Sequence, residues 1–150
     1  MKIKHFLVLC LLVLADLSVS NVLAASNPVI QVRDAYVRGL PSSAVNTSAY
    51  MTLVNRGDSD IILTGASSPA AESVTLHNTV RRNGQMSMEH VISATIAVGD
   101  RLELESGGMH LMLMGLKSSL RDGDSVRLSL HFEGGFVQTI TLPVISVLNE

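Results

Sequence analysis

The sequence predicts an all-β protein, an antiparallel sandwich or barrel, and three observations support this fold class. Short runs of alternating apolar and polar residues recur along the chain, as expected for strands with one buried face. Clusters rich in Gly, Asn and Asp separate the runs. No segment has an apolar stripe at the helical period over the length of a helix. We therefore expect a single β domain over residues 26–150.

Nine strand-like runs follow one another along the chain. In order they are IQVRDAYVR (30–38), TSAYMTLVN (47–55), IILTGA (61–66), SVTLHNTV (73–80), QMSMEHV (85–91), DRLELE (100–105), MHLMLM (109–114), SVRLSLHFE (125–133) and FVQTITLPV (136–144). The fourth and fifth runs flank Asn83-Gly84, the strongest short hairpin signal. The turn-rich segments NRGDSD, SGG, Asp122-Gly123 and Gly134-Gly135 end other runs. This spacing of strands and turns is typical of an antiparallel sheet protein.

Residues 1–25 are predicted to be a cleaved secretory signal peptide. A basic start, MKIKH, precedes the apolar run FLVLCLLVLA, which is too short to span a bilayer. Small residues then allow cleavage after Ala24 or Ala25. Cys10 lies inside the apolar run behind Leu9, which argues against a lipoprotein site. We expect an exported protein, periplasmic as in a Gram-negative cell, with no membrane insertion of the mature chain.

The mature composition excludes several classes of function. Cys10 is the chain's single cysteine, so the mature chain would have neither a disulfide nor a thiolate ligand. Removing Lys2, Lys4 and Asp16 leaves 9 basic and 12 acidic residues, a balance that argues against nucleic acid as a partner. The chain contains no G-x-S-x-G and no H-E-x-x-H, so no enzyme motif is evident.

Two short segments combine methionine with histidine. In MHLMLM, alternation places His110, Met112 and Met114 on one face of a strand, and Met109 with Leu111 and Leu113 on the other. In the predicted Asn83-Gly84 hairpin, His77 faces His90 and Met88 faces Thr79, so Met88 is a diagonal neighbour of His77. Met86 and His90 share that face. If the two strand pairs meet in the fold, His77, Met88, His110 and Met112 converge.

Two imidazoles and two thioethers are a soft, neutral donor set. Such donors suit Cu(I) and are poor ligands for calcium or magnesium. Imidazoles also allow weaker binding of Cu(II). A single methionine is more often an adaptable core residue, and a single histidine is more often structural than a ligand. Here, however, five of the seven methionines lie in these two segments, each of which contains histidine.

The order His77, ten residues, Met88, twenty-one residues, His110, one residue, Met112 is H-x10-M-x21-H-x-M. This pattern resembles the signature of the periplasmic PCuAC family of copper chaperones. The segments SAYMTLVNRGDSD and GGMHLMLMGLKSSLRDGDSVRLSLHFEGG are also similar to that family, and the resemblance extends from about Val32 to Val144.

The resemblance implies a cupredoxin-like, Greek-key β-sandwich that binds one Cu(I). It implies that His77, Met88, His110 and Met112 are the ligands, and that the copper serves cytochrome c oxidase. Expected partners are the copper-bearing subunit of that oxidase and Sco-type thioredoxin-fold proteins. The neighbouring Met86, His90, Met109 and Met114 are candidates for supporting the site or for transfer. We expect a monomer.

Three other functions compete with this interpretation. A general periplasmic copper storage or tolerance protein would use the same ligands. A non-metal β-sandwich interaction module would use none of them. A blue-copper electron carrier would require a cysteine thiolate, which the mature chain lacks.

Overall fold

Ten β-strands make up most of the part of the chain that the computed structural model describes, residues 30–146. They are β1 (Ile30–Gly39), β2 (Asn46–Asn55), β3 (Ile61–Ser67), β4 (Ala71–Arg82), β5 (Gln85–His90), β6 (Ala94–Ile96), β7 (Arg101–Leu104), β8 (Met109–Leu116), β9 (Ser125–Phe132) and β10 (Val137–Ser146). A single 3-10 turn, Glu133–Gly135, separates β9 from β10. The sequence prediction missed only the three-residue β6. The predicted signal peptide and Cys10 lie outside the described residues.

The strands form one hydrogen-bonded network in the order β5-β4-β8-β2-β1-β10-β9-β3-β6. β3 also pairs with β4, through Ala66 and Val74, and this contact closes seven of the strands into a barrel. β7 pairs with β2 beyond the end of β8, and β5 and β6 extend β4 and β3 outside the closed ring. A closed ring leaves few strand edges unpaired.

The predicted all-β class is confirmed, and of the two predicted architectures the barrel is observed. Two details differ from the antiparallel, cupredoxin-like sandwich that the family resemblance implies. The sheet is continuous around a barrel and does not divide into two separate sheets. One pair, β1 with β10, is parallel, with Val37 opposite Val144. Alternation within a strand predicts which residues are buried but carries no information about the direction of the neighbouring strand, so these details were beyond the sequence pattern.

The barrel interior is filled by aliphatic side chains from all around the ring. On β8, Leu111 and Leu113 are fully buried, and Leu76 on β4 packs into the same core. Each of these leucines alternates with residues that point away from the core, as a strand requires. The outward-pointing set on β4 and β8 includes Thr75, His77, His110 and Met112. Leucine burial therefore fixes the direction in which the candidate metal ligands point.

The β4–β5 hairpin has the geometry that its sequence predicts. Asn83 and Gly84 both have positive φ, 51° and 80°, as the two-residue turn matching the twist of a hairpin requires. The turn pairs Arg82 with Gln85 and so sets the register of the whole hairpin. Among residues 30–146, no helix has the length and apolar character needed to cross a membrane.

Candidate metal site

The three histidines of the two Met/His segments lie in one row across neighbouring strands. β4 is the middle strand, with β5 on one side and β8 on the other. His77 on β4 is directly opposite His90 on β5, as the hairpin turn predicts, and directly opposite His110 on β8. The ring centroids are 5.7 Å apart for His77 and His90, and 6.1 Å apart for His77 and His110. The fold therefore brings together two segments that the sequence could only place side by side as a hypothesis.

The two predicted methionine ligands flank this row on opposite sides. Met88 pairs with Thr79, two residues after His77, and Met112 pairs with Thr75, two residues before it. His77 is thus diagonal to Met88 on one strand and to Met112 on the other. Diagonal neighbours lie about 7–8 Å apart at the backbone, within reach of long side chains. All four predicted ligands share one outer face, with His77 at the centre.

Two tyrosines extend the ring row beyond His110. The ring of Tyr50 on β2 lies 6.4 Å from that of His110, and Tyr36 on β1 lies 5.2 Å from Tyr50. Tyr50 is itself buried, and His110 is only 4% exposed although it points away from the barrel core. No motif or spacing in the sequence singles out Tyr50. Alternation along β2 places Tyr50 on the outer face of the strand, while Met51 and Leu53 lie on the core face. Only the pairing of β2 with β8 brings Tyr50 close to the histidines.

Exposure of the predicted ligands increases from one side of the site to the other. His110 is buried, His77 and Met112 are partly buried, and Met88 is 60% exposed. The first three lie on strands of the closed ring, whereas Met88 lies on β5, which pairs only with β4 in the described network. The site is therefore anchored within the barrel and open at the outer strand.

His110 has its tautomer set by the turn before β8. Its Nδ1 lies 3.1 Å from the carbonyl oxygen of Gly108. A carbonyl only accepts, so Nδ1–H is the donor and the lone pair of the neutral ring is on Nε2. Ligating histidines characteristically donate their other N–H to a backbone carbonyl or carboxylate, which fixes the ring. His110 has this arrangement in place.

His77 carries a buried nitrogen without a partner. Its Nδ1 is buried and makes no hydrogen bond, while its Nε2 lies 2.9 Å from Oγ1 of Thr75. Burial, followed by the proximity of His110 and His90, lowers the pKa of His77 below its ordinary value, because desolvation and neighbouring imidazoles disfavour the cation. A neutral imidazole with an unused buried nitrogen is what a metal-ligating histidine offers.

Comparison with known proteins places the chain in a family. Residues 30–144 match the family model LpqE-like, described as "Putative lipoprotein LpqE-like". The chain belongs to the LpqE-like family. A curated relative from Leifsonia xyli subsp. xyli, "Putative lipoprotein Lxx21020", is 38% identical over 116 residues, which are 77% of this chain and 69% of the relative.

Solved structures similar to this LpqE-like chain include copper-loaded proteins. The Cu(I) form of DR1885 from Deinococcus radiodurans is 38% identical, with a TM-score of 0.64 over 81% of each chain. The copper-bound PCuAC domain of PmoF2 is 21% identical, with a TM-score of 0.65 over 78% of this chain and 92% of that domain. At that identity the second likeness concerns the fold, so the LpqE-like barrel has the fold of PCuAC domains.

The four supporting candidates of this LpqE-like chain occupy different positions. His90 is exposed and lies beside His77, and Met86 is 58% exposed on β5 opposite Arg81. Met114 is 37% exposed, and its Sδ accepts a hydrogen bond from Thr75 at 3.7 Å. Met109 points the other way and packs against the barrel core. Met114 therefore lies on the same face of β8 as the predicted ligands, and Met109 lies on the core face.

The donor atoms of this LpqE-like site are nitrogen and sulfur. Within residues 30–146, no three His, Cys, Asp or Glu side chains are grouped closely enough to hold a metal ion. The candidate donors on this face are two ring nitrogens with available lone pairs and the thioethers of Met88 and Met112. Thioethers are soft donors suited to Cu(I), whereas hard cations prefer oxygen ligands. The residues present fit a soft monovalent ion.

Proposed function

We propose that this protein is a copper chaperone that binds one Cu(I) through His77, Met88, His110 and Met112 and passes it to an acceptor. One observation carries the proposal: β5, β4 and β8 bring two imidazoles and two thioethers onto one outer face, around a buried His77 nitrogen that has no partner. The likeness to DR1885, a protein solved in a Cu(I) form, supports the proposal.

Copper(I) is the cargo that this donor set selects. Imidazole and thioether are neutral, and they suit a soft ion of low charge better than Zn²⁺, Mg²⁺ or Ca²⁺. Methionine also keeps its donor sulfur under oxidising conditions in which a cysteine pair forms a disulfide. Cu(II) is expected to bind more weakly, through the imidazoles alone.

The openness of the site favours delivery over storage. Met88 is 60% exposed and lies on the outermost strand, so an acceptor can reach this ligand first. Replacement of one donor at a time lets a metal move between proteins without being released into water. Storage or tolerance requires retention of the ion, to which an exposed ligand does not contribute. Nothing in this proposal requires turnover of a substrate, and we assign no enzymatic activity.

The compartment and the acceptor belong to the same proposal. The N-terminal sequence MKIKHFLVLCLLVLA supports export, and we place the protein in the periplasm. The names of the family model and of the Leifsonia relative both contain the word lipoprotein, which agrees with an exported location. As acceptors we propose the copper-bearing subunit of cytochrome c oxidase, directly or through a Sco-type protein, by resemblance to PCuAC chaperones.

Competition for Cu(I) tests the binding step. The protein is titrated into a coloured Cu(I) chelator under anaerobic conditions, and native mass spectrometry counts the bound ions. We expect one Cu(I) per chain, and we expect the double variant Met88→Ile and Met112→Ile to lose most of its ability to compete. Full competition by the double variant would contradict the ligand assignment.

Transfer to an acceptor tests the delivery step. Loaded protein is mixed with an isolated oxidase copper domain or Sco-type domain, and copper is measured in each after separation. Movement of Cu(I) to either acceptor supports the chaperone. Retention in the presence of both, by a protein that binds Cu(I) tightly, would favour storage or tolerance instead.

A further inference from the structure

Thr75 lies between the central histidine of the site and a methionine that is outside the predicted ligand set. Its Oγ1 is 2.9 Å from Nε2 of His77 and 3.7 Å from Sδ of Met114. Thr75 and His77 are two residues apart on the same face of β4, and Met114 pairs with Ser73 on the neighbouring strand, diagonal to Thr75. The three side chains therefore form a short hydrogen-bonded chain along the edge of the site.

The threonine hydroxyl has one proton, so the two contacts are not independent. A thioether sulfur can only accept, and the contact with Met114 therefore uses the hydroxyl as a donor. With its proton directed at sulfur, Oγ1 accepts the proton of the imidazole at Nε2. That arrangement places N–H at Nε2 of His77 and the lone pair at Nδ1.

The buried Nδ1 of His77 supports the same tautomer. If the hydroxyl instead donated to Nε2, which is the stronger acceptor of the two, the ring proton would be on Nδ1. Nδ1 is buried and has no hydrogen-bond partner, so its N–H would be left without an acceptor. An unpartnered buried nitrogen costs stability in either tautomer, but only a lone pair at Nδ1 can gain a partner by binding a metal ion.

We propose that Thr75 and Met114 are positioning residues that fix the tautomer of His77 and so present its Nδ1 to Cu(I). This inference rests on the proposed function for its role, but not for its geometry, which concerns the metal-free protein. It gives Met114 a part in the site without making it a ligand. It also means that the two histidines bind through different nitrogens, Nδ1 of His77 and Nε2 of His110.

The unequal tautomers provide an internal reference for the test. Long-range proton–nitrogen NMR correlation of the ¹⁵N-labelled, metal-free protein, at a pH where both rings are neutral, distinguishes the two tautomers of each histidine. We expect His77 to show the Nε2–H form and His110 the Nδ1–H form in one spectrum. A wild-type His77 in the Nδ1–H form would overturn the inference directly, with no variant needed.

Variants of the threonine test its role. Thr75→Val keeps the β-branched shape and removes the hydroxyl, and we expect a mixture of His77 tautomers and a Cu(I) affinity roughly 10–100-fold lower, as for other residues that orient a ligand. Thr75→Ser restores the hydroxyl and should recover both properties. Met114→Leu removes the sulfur acceptor and should shift the tautomers in the direction of Thr75→Val.

Thr79→Val is the matched control. Thr79 lies on the same face of β4, two residues to the other side of His77, and faces Met88 as Thr75 faces Met112. We expect it to leave the tautomers and the affinity unchanged, and thermal unfolding checks that each variant is folded. Equal behaviour of Thr75→Val and Thr79→Val would refute the positioning role. A wild-type protein that shows the expected tautomers but does not bind Cu(I) would refute the proposed function alone.

Discussion

The rings of His77 and His110 lie beside each other on paired strands, with their centroids 6.1 Å apart and their planes inclined by 31°. The positions of the two rings do not depend on side-chain rotamers alone, because the β4–β8 register places the two residues directly opposite each other. Backbone hydrogen bonds therefore set the spacing of the two nitrogen donors, and leucines on the reverse of both strands keep the histidines on the outer face. The barrel is a rigid frame for the nitrogen half of the site.

Two methionines on opposite faces of β8 should differ sharply in their effect on copper binding. Met112 lies on the outer face, whereas Met109 packs against the core. We expect Met112→Leu to weaken Cu(I) binding strongly and Met109→Leu to leave it unchanged, since the two residue types are similar in volume. Chelator competition measures both variants, which share a strand, a residue type and a substitution. Equal losses of affinity would show that Met109 contributes to the site.

The lowered pKa of His77 predicts a dependence of stability on pH in the metal-free protein. The unfolded chain titrates this ring near its ordinary value of 6.5, and the folded protein titrates it lower. Between these two values the unfolded state binds more protons at this ring. The contribution of His77 to the free energy of unfolding therefore falls as the pH falls through this window, and it changes no further below the folded pKa. Above 6.5 the ring is neutral in both states and contributes no pH dependence.

Urea denaturation of the metal-free protein between about pH 8 and about pH 5 measures this effect. His77→Gln has no titrating ring, so the loss of stability on acidification should be smaller in the variant than in the wild type. An equal loss in both proteins would show that His77 titrates at the same pH whether the chain is folded or not.

The hairpin turn should matter for copper binding as well as for stability. Gly84 has a φ of 80°, and an alanine there is strained, at a cost of about 1 kcal/mol. Gly99, in the turn before β7, has a φ of 74° and equally open surroundings, so it provides the control. We expect Gly84→Ala and Gly99→Ala to lower the free energy of unfolding similarly, and only Gly84→Ala to weaken Cu(I) binding, by up to roughly fivefold.

The spectrum of the Cu(II) form should separate this site from a blue-copper centre. Intense visible absorption in blue-copper proteins comes from a cysteine thiolate ligand. Residues 30–146 contain no cysteine, so Cu(II) added to the protein should give only weak ligand-field absorption. An intense thiolate band in the visible spectrum would contradict the proposed donor set.

The local parts of the fold were accessible from the sequence, and the long-range pairings were not. The Asn83-Gly84 turn fixed the facing of His77 and His90, because a two-residue loop leaves only one register. Alternation in MHLMLM separated Met112 from Met109 for the same local reason. Pairing of β4 with β8 joins residues that are far apart in the sequence, such as His77 and His110, which are 33 positions apart, and no local signal encodes it.

The supporting residues of the site were hidden for the same reason. Tyr50 reaches His110 only because β2 pairs with β8, and Thr75 reaches Met114 only because β4 pairs with β8. The parallel pairing of β1 with β10, on which the closed ring also depends, joins residues far apart in the sequence. The alternation within a strand is the same whether its neighbour is parallel or antiparallel. The order of the strands around the ring could therefore not be predicted from the sequence.

Within residues 30–146, β5 is attached to β4 alone, and this has a thermodynamic consequence for the bound ion. An ion bound by Met88 on β5 and by His110 and Met112 on β8 would link these two strands across β4, which lies between them. Linkage is reciprocal, so the free energy that the bound ion contributes to closing this hairpin equals the free energy by which hairpin closure tightens the ion. An acceptor that separated β5 from β4, by pairing with one of them through a strand of its own, would therefore weaken the binding of the metal before contacting any ligand.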